Sequence, residues 1–498
     1  MSAENLCAVP APGDGARMSA ENPCAVPAGG VSLRAQSEVR RVRSLLAART
    51  EAPSPPPAAP CAPRAGASAR RGVALALLAG ALAAASCAPS RHPGDWVALR
   101  EVTPAFLVSL GASDPALATD RRGHVALTFV TRDSTGRNAW LALSRDSGVT
   151  FSVPVRINAR TGSVVSFPES RPLPAFGTSG EFAVIWTERS SDSARAADVV
   201  VRASGDAGVT LGPPAVVNDD DRLRAQHARD WPWLWHHPWT PNAWHAFPAL
   251  TFLPDGSVFA AWLDERENPI GPGEPSTSSL YAASSTDGGL HWGENQRIAA
   301  SVCPCCRPVA LADAEGRVAV AYRRGAADLR DPALVVSSDF GHTFALDTLI
   351  SADRWLLKAC PDQGAALTWN RGRGGHVAWY TGAEPAGVYL MPWHDDHGAA
   401  GVRRALADSL HDAESPRLAP LGESTLIGLE ARPAADTTRH VFAVRALDPG
   451  GSLTPWCFLG ADASEGWLAG LDAHSAIACW VERDGESHRV RIARLHLR

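Results

Sequence analysis

The chain has 498 residues, 45% of them hydrophobic and 20% charged, with 43 glycines and 39 prolines. That composition suits a globular protein full of turns rather than a helical bundle or a disordered tail. A formal net charge of −5 supplies no basic field for nucleic acid, so no nucleic-acid partner is expected.

In chain order, MSAENLCAVPA (1–11) is nearly repeated as MSAENPCAVPA (18–28), and a Pro/Ala/Arg-rich stretch without apolar periodicity follows. Residues 1–69 therefore read as a disordered leader or as an over-extended gene start. Arg70 and Arg71 then precede an apolar run (73–85), Ser86 and Cys87. That is the layout of an export signal: a charged segment, an apolar run too short to span a bilayer, and small residues before a cleavage point. The stretch AAASCAPS (83–90) resembles a bacterial lipobox, with Ala84 where Leu is usual. The resemblance implies a lipoprotein signal peptide over 70–87 and a lipid on Cys87. It further implies an exported protein of the cell envelope, lipid-anchored at the outer membrane or its periplasmic face. A plain secretory signal is the alternative. Residues 88–498 are expected to form a single domain.

From Asp114 onward the chain repeats itself. Each unit has a short apolar strand often introduced by Pro, a Gly-containing turn, a second strand that mostly ends in an aromatic, and a third strand with its turn. The second strands are HVALTFV (124–130), EFAVIW (181–186), SVFAAW (257–262), RVAVAY (317–322), HVAWY (376–380), TLIGLE (425–430) and SAIACW (475–480). Their spacing of roughly 50 to 75 residues is that of a four-stranded propeller blade with its loops. The spacing predicts an all-β fold, a β-propeller of seven blades, with six as the alternative if one weak repeat is an elaborated loop. The last repeat stops after its third strand, RVRIARLHL (489–497), and a propeller must close its ring or leave an open edge. The segment WVALREV (96–102) is the expected donor of the missing outer strand.

After four of the third strands stands S-x-D-x-G-x-T/H-aromatic: SRDSGVTF (144–151), SGDAGVTL (204–211), STDGGLHW (285–292) and SSDFGHTF (337–344). Eroded copies are HDDHG (394–398) and ALDPGGSL (446–453). This motif resembles the Asp box, or BNR repeat, of the sialidase-like superfamily. The resemblance makes Asp146, Asp206, Asp287 and Asp339 structural: each carboxylate accepts N–H groups across a hairpin turn, Gly supplies a positive φ, and the aromatic packs between blades.

The chemistry that this resemblance implies is only partly present. Sialidases clamp a carboxylate with three arginines, the first in an F/Y-R-I-P motif, and attack with a Tyr paired to a Glu. No R-I-P occurs here. The four tyrosines, at 281, 322, 380 and 389, all precede the last two repeats, whereas the family's nucleophile lies close to the C-terminus.

Six cysteines follow Cys87: Cys303, Cys305, Cys306, Cys360, Cys457 and Cys479. An even number in an oxidising compartment predicts disulfides among them: Cys457 with Cys479 from their positions on neighbouring strands, and one bond from the 303–306 group to Cys360 with a further bond or a free thiol. VCPCCRP (302–308) and ACPDQG (359–364) each cross between blades. Together with Arg330, Asp331 and HVAWYTG (376–382), they resemble a subset of bacterial BNR-repeat proteins labelled exo-α-sialidase, from which Asp362 and Gln363 depart. In an extended segment Cys303 and Cys305 face one way and Cys306 the other. The alternative to disulfides is thus a copper or zinc site on Cys303, Cys305 and Cys360. The longest insertion, DWPWLWHHPWTPNAWHAFP (230–248), is a self-packed cap, a set of Trp platforms for sugar, or a source of imidazoles.

The functional expectation is a lipid-anchored, sialidase-like propeller that binds a glycan or an envelope protein and lacks sialidase activity. Its ligand candidates are Arg307, Arg330, Asp331, His245, Trp244 and Tyr380. An exo-acting glycoside hydrolase (exo-α-sialidase), a soft-metal (copper or zinc) binding protein and a purely structural lipoprotein are the alternatives. No cofactor other than that metal is expected.

Overall fold

The computed structural model describes residues 96–190, 196–220, 244–267, 277–344, 346–370, 374–394, 398–399, 401–485 and 487–498. The leader, the signal segment, Cys87 and most of the Trp-rich insertion lie outside them.

Seven antiparallel sheets follow one another along the chain, one for each repeat. Every second strand named from the sequence is the second strand of a blade: Val125–Asp133, Phe182–Arg189, Val258–Asp264, Val318–Arg323, Gly374–Thr381, Ser424–Pro433 and Ser475–Asp484. These strands are buried on both faces, which is why they read as apolar runs rather than as alternations. Their alternate residues feed the cores on either side. Ala476, Ala478 and Trp480 pack against blade 6, while Ile477, Cys479 and Val481 pack against blade 1. The count is seven, so the six-bladed alternative falls.

The ring closes as the incomplete last repeat requires. Val97–Glu101 is the outermost strand of blade 7 and pairs with Ser487–Leu497 from Val97↔Leu497 to Glu101↔Ala493. Two further main-chain bonds extend the seam, Val102 N–H to Ile492 O and Arg498 N–H to Trp96 O, both 2.9 Å. Trp96 and Val97 are buried in the core between blades 6 and 7.

Because strands alternate in direction, each blade sends its first turn and its third-to-fourth connection to one end of the ring. Its second turn and the crossover to the next blade lie at the other. The Asp boxes occupy the first end. In blade 2, Asp206 accepts the Thr210 N–H (2.8 Å), the Thr210 hydroxyl (2.7 Å) and the Ser204 hydroxyl (2.6 Å). The Ser204 hydroxyl first, then Thr210, hold its carboxyl down at about 2. Gly148 of the first box has φ +79°, and a Cβ there would stand 2.5 Å from Ile477 of the preceding blade. The box glycine therefore answers both to the turn and to inter-blade packing. Phe151, Leu211, Trp292 and Phe344 each pack on the core shared with the blade before.

At the crossover end the innermost strands are irregular. Register breaks at Ser113/Ala116, Ala246/Ala249, Glu414/Arg417 and Ser464/Trp467, beside residues with positive φ: Asp114, Phe247, Ser415 and Glu465. Bulges re-aim side chains, and here they gather charged groups from several blades.

Candidate functional site

The gathered groups form a buried charge cluster drawn from the first residues of the inner strands. Glu169 accepts Arg417 Nη2 through Oε1 at 3.0 Å and pairs through Oε2 with Arg307 Nε at 3.1 Å. The Gly364 N–H adds a contact to Oε2 at 3.3 Å. All three charged side chains are under a tenth exposed. The guanidinium carbons of Arg171, Arg307 and Arg417 stand 5.2, 5.7 and 5.1 Å from the centre of the Trp467 ring, so three cations face one aromatic.

Most of these donors are consumed within the protein. Arg171 donates to the carbonyls of Pro168, Pro115 and Glu465, and Arg417 donates to those of Gly466 and Pro416. Each thereby ties its own blade to a neighbouring segment. Arg307 is the exception, since its buried Nη2 has no hydrogen-bond partner among the described residues. Gly364 lies so close to it that a Cβ would stand 2.7 Å from Arg307 Cγ.

The carboxylates split by environment. Burial works to raise Glu169, but Arg417, Arg307 and Arg171 outweigh it and hold the group below the usual range. Glu465, whose Oε2 accepts the Asp114 N–H at 3.1 Å, is pushed up to about 8 by burial and by Asp114. Burial also raises Glu430. Half-buried Asp362, between the cysteines and Glu169, is pushed up to about 6, again chiefly by burial.

The cysteine segment lies on the same face. Residues 303–306 form a turn rather than an extended strand, so the expectation that Cys306 turns away is wrong. Cys303 Sγ is 3.7 Å from Cys305 Sγ and 3.3 Å from Cys306 Sγ, and all three thiols are buried. Cys360, which is exposed, joins Cys305 and Asp362 in a second group. The metal set Cys303, Cys305 and Cys360 is therefore regrouped by the fold. Hydrogen bonds from Cys305 and Cys306 lower Cys303 well below the ordinary thiol range, while burial raises Cys306. All six cysteines are free thiols in the structure. Cys457 and Cys479 do not meet: they face the cores on opposite sides of blade 7, so the strand position that suggested their pairing separates them.

The remaining expected ligand residues are turned inward. Arg330 is buried, donates to Gly325 O at 3.1 Å, and takes the Trp355 carbonyl on its own N–H. Asp331 accepts the Trp355 N–H at 3.1 Å and is raised by burial. Tyr380 packs edge-on against Trp355 with ring centroids 5.5 Å apart, and its carbonyl takes Arg323 Nη2 at 2.8 Å. These three residues hold the crossover between blades 4 and 5. His245 is wholly buried, with Nε2 3.1 Å from Asp220 and Nδ1 3.0 Å from Asp264. Burial works against its charge, yet the two carboxylates push it up to about 9. Trp244 is half-buried on the core between blades 3 and 4. His236, His237 and the other tryptophans of the insertion lie outside the described residues.

Sequence reading missed Glu169, Arg171, Arg417, Trp467, Glu430 and Glu465. The usable signal was positional. ESRP (169–172), CRP (306–308), ESPR (414–417) and EGW (465–467) all stand where an inner strand begins.

Three of the four tyrosine hydroxyls donate to groups outside this cluster. Tyr281 donates to Glu267 at 2.6 Å, Tyr322 to Asp347 at 2.7 Å and Tyr389 to Pro385 O at 2.6 Å, while Tyr380 lies on Trp355.

No family model matches the chain. A sialidase from Micromonospora viridifaciens is 32% identical over 187 residues, which is 32% of this chain and 28% of that protein. Among solved structures, a protein of unknown function from Dyadobacter fermentans aligns with TM-score 0.44 at 13% identity, over 81% of this chain and all of that one. The Hadza microbial sialidase Hz136 aligns with TM-score 0.42 at 12% identity, over 77% of this chain and 65% of that one. The polysaccharide lyase Uly1 gives 0.46 at 12% identity, over 77% and 90%. At these identities and scores the alignments say nothing of activity. The chain is a seven-bladed β-propeller that is sialidase-like in sequence over part of its length.

Proposed function

We propose that this chain is an exported, lipid-anchored propeller that binds a glycan or an envelope protein at its crossover end and has no sialidase activity. The observation that carries the reading is the fate of the arginines. Arg171 and Arg417 spend their donors on Glu169 and on backbone carbonyls, and Arg307 leans on the same Glu169. A guanidinium already bonded to protein has little left for a substrate carboxylate, and Glu169 offsets part of the charge that would attract one. Export and anchoring rest on the lipobox-like segment at Cys87.

The test is turnover. The purified chain, incubated with a fluorogenic sialoside from pH 4 to 8, should release no sialic acid above the blank. Release that Tyr281→Phe or Tyr380→Phe abolishes would overturn the reading.

An exo-acting glycoside hydrolase is the second reading. It is favoured by the similarity to a sialidase and by a carboxyl raised to about 6, Asp362, beside one held low, Glu169. Carboxyls driven apart in this way can share general acid and base roles. Hydrolysis of a panel of aryl glycosides that is lost in Asp362→Asn would establish it.

A further inference from the structure

The axial arginines leave the thiols unexplained. Cys303, Cys305 and Cys306 have their sulfurs within 4.8 Å of one another, with individual separations of 3.7 and 3.3 Å from Cys303. Thiolates about 2.3 Å from a shared ion stand about 3.8 Å apart in a tetrahedral arrangement and about 4.0 Å apart in a trigonal one. A disulfide would need about 2.05 Å. The sulfurs thus already sit close to the spacing that one ion requires.

The turn that presents them is fixed by main chain. The Cys303 N–H donates to Arg323 O at 2.9 Å, and the Gly325 N–H donates to Ser301 O at 2.7 Å. A Cβ on Gly325 would stand 2.9 Å from Cys303 N and from the Val302 carbonyl, so the two segments approach as closely as glycine permits. Arg323, whose carbonyl takes that Cys303 N–H, is buried and donates through its side chain to Gln363 O and Tyr380 O, which fixes the segment facing the turn. A site assembled before the ion arrives loses little on binding.

We propose that Cys303, Cys305 and Cys306 bind one soft, thiophilic cation of the Cu(I) class, and that Cys360 with Asp362 forms the solvent side through which it enters. Thiolates select soft ions, and Cu(I) accepts three of them. Structural zinc takes four ligands. Among the described residues the remaining donors, Cys360 and Asp362, share only Cys305 with the buried trio. Cys305 therefore belongs to an outer group with an exposed member and to an inner group that is buried, which describes a hand-over from solvent to interior. On binding, the three cysteines coordinate as thiolates and release to solvent whatever protons they still hold, three Cu–S bonds form, and the metal keeps its oxidation state. The proposal is independent of whether the chain turns over a sialoside.

The test uses the full-length chain, reduced and held without oxygen, with Cu(I) offered against a chromogenic Cu(I) chelator. The chain should take up one equivalent more than the Cys303→Ser/Cys306→Ser variant. Cys306→Ser alone should lose at least about tenfold in affinity, and Cys457→Ser should match the parent. Cys360→Ser should keep the stoichiometry and fill several-fold more slowly. Unfolding midpoints without metal control for misfolding of the variants. Parent-like binding by Cys306→Ser would overturn the proposal. So would preferential retention of Zn(II), or peptide mapping of protein isolated without reductant that finds Cys303 or Cys306 in a disulfide in every molecule.

Discussion

Replacing Glu169 with Gln removes one negative charge from between two guanidiniums at 3.0 and 3.1 Å, at a point where no side chain involved is more than a tenth exposed. At an effective dielectric of about 20, each contact is worth roughly 5 kcal/mol of attraction, much of it cancelled by desolvation. The cost of the substitution is therefore set by what it strands. Removing one partner of a buried pair costs about 3 to 5 kcal/mol, because the opposite charge is left uncompensated. Denaturant unfolding followed by tryptophan fluorescence at pH 7 should show a loss of that size, and adding Arg417→Met should recover part of it.

The pH dependence follows with a definite sign. The Glu169 carboxyl lies below its usual value in the fold, so its contribution is fully present above the unfolded value near pH 4.5 and is lost as pH falls through the lower folded one. The gap between parent and variant should be constant above pH ~5 and shrink on acidification. A variant that unfolds at the parent midpoint, or a gap indifferent to acid, would refute the assignment of Glu169 as the counter-charge to Arg307 and Arg417.

Ring closure predicts that Trp96→Ala, which empties a buried site on the closing strand, costs about 3 to 5 kcal/mol by the same unfolding measurement. A cost under about 1 kcal/mol would mean that the seam contributes little. His245 is raised from its ordinary 6.5 to about 9, so its contribution is complete below pH 6.5 and lost as pH climbs through 9. Between those limits the parent should lose on the order of 3 kcal/mol more than His245→Gln, and parallel curves would contradict this. Gly364→Ala should cost about 1 to 3 kcal/mol through its clash with Arg307, and a crystal structure of the variant should show the Arg307 side chain displaced.

The blades were legible because each solves the same packing problem with the same residues. The apolar second strand, the box glycine and the box aromatic recur at one period, and a short final repeat implies its missing strand. The axial cluster was not legible in that way. Its members come one or two per blade, and Glu169 and Arg417 are 248 residues apart, among many other arginines. Nothing local distinguishes an arginine that meets the axis from one that meets water, except its place at the start of an inner strand. Two readings of the cysteines failed for identifiable reasons. Cys306 was placed by strand alternation in a segment that is a turn. Cys457 and Cys479 are expected to pair across neighbouring strands, although the alternation of Ser475–Asp484 sends Cys479 toward blade 1 and away from the blade 6 core.

On the proposed function, Arg171, Arg307 and Arg417 brace the inner strands of the blades against one another rather than grip a ligand. Calorimetric titration of the intact chain with free sialic acid at neutral pH tests it most directly. The account predicts no saturable heat at millimolar sugar, because the guanidinium donors of Arg171 and Arg417 are committed to Glu169 and to backbone carbonyls. Saturable one-to-one binding that disappears in a folded Arg307→Met variant would contradict it.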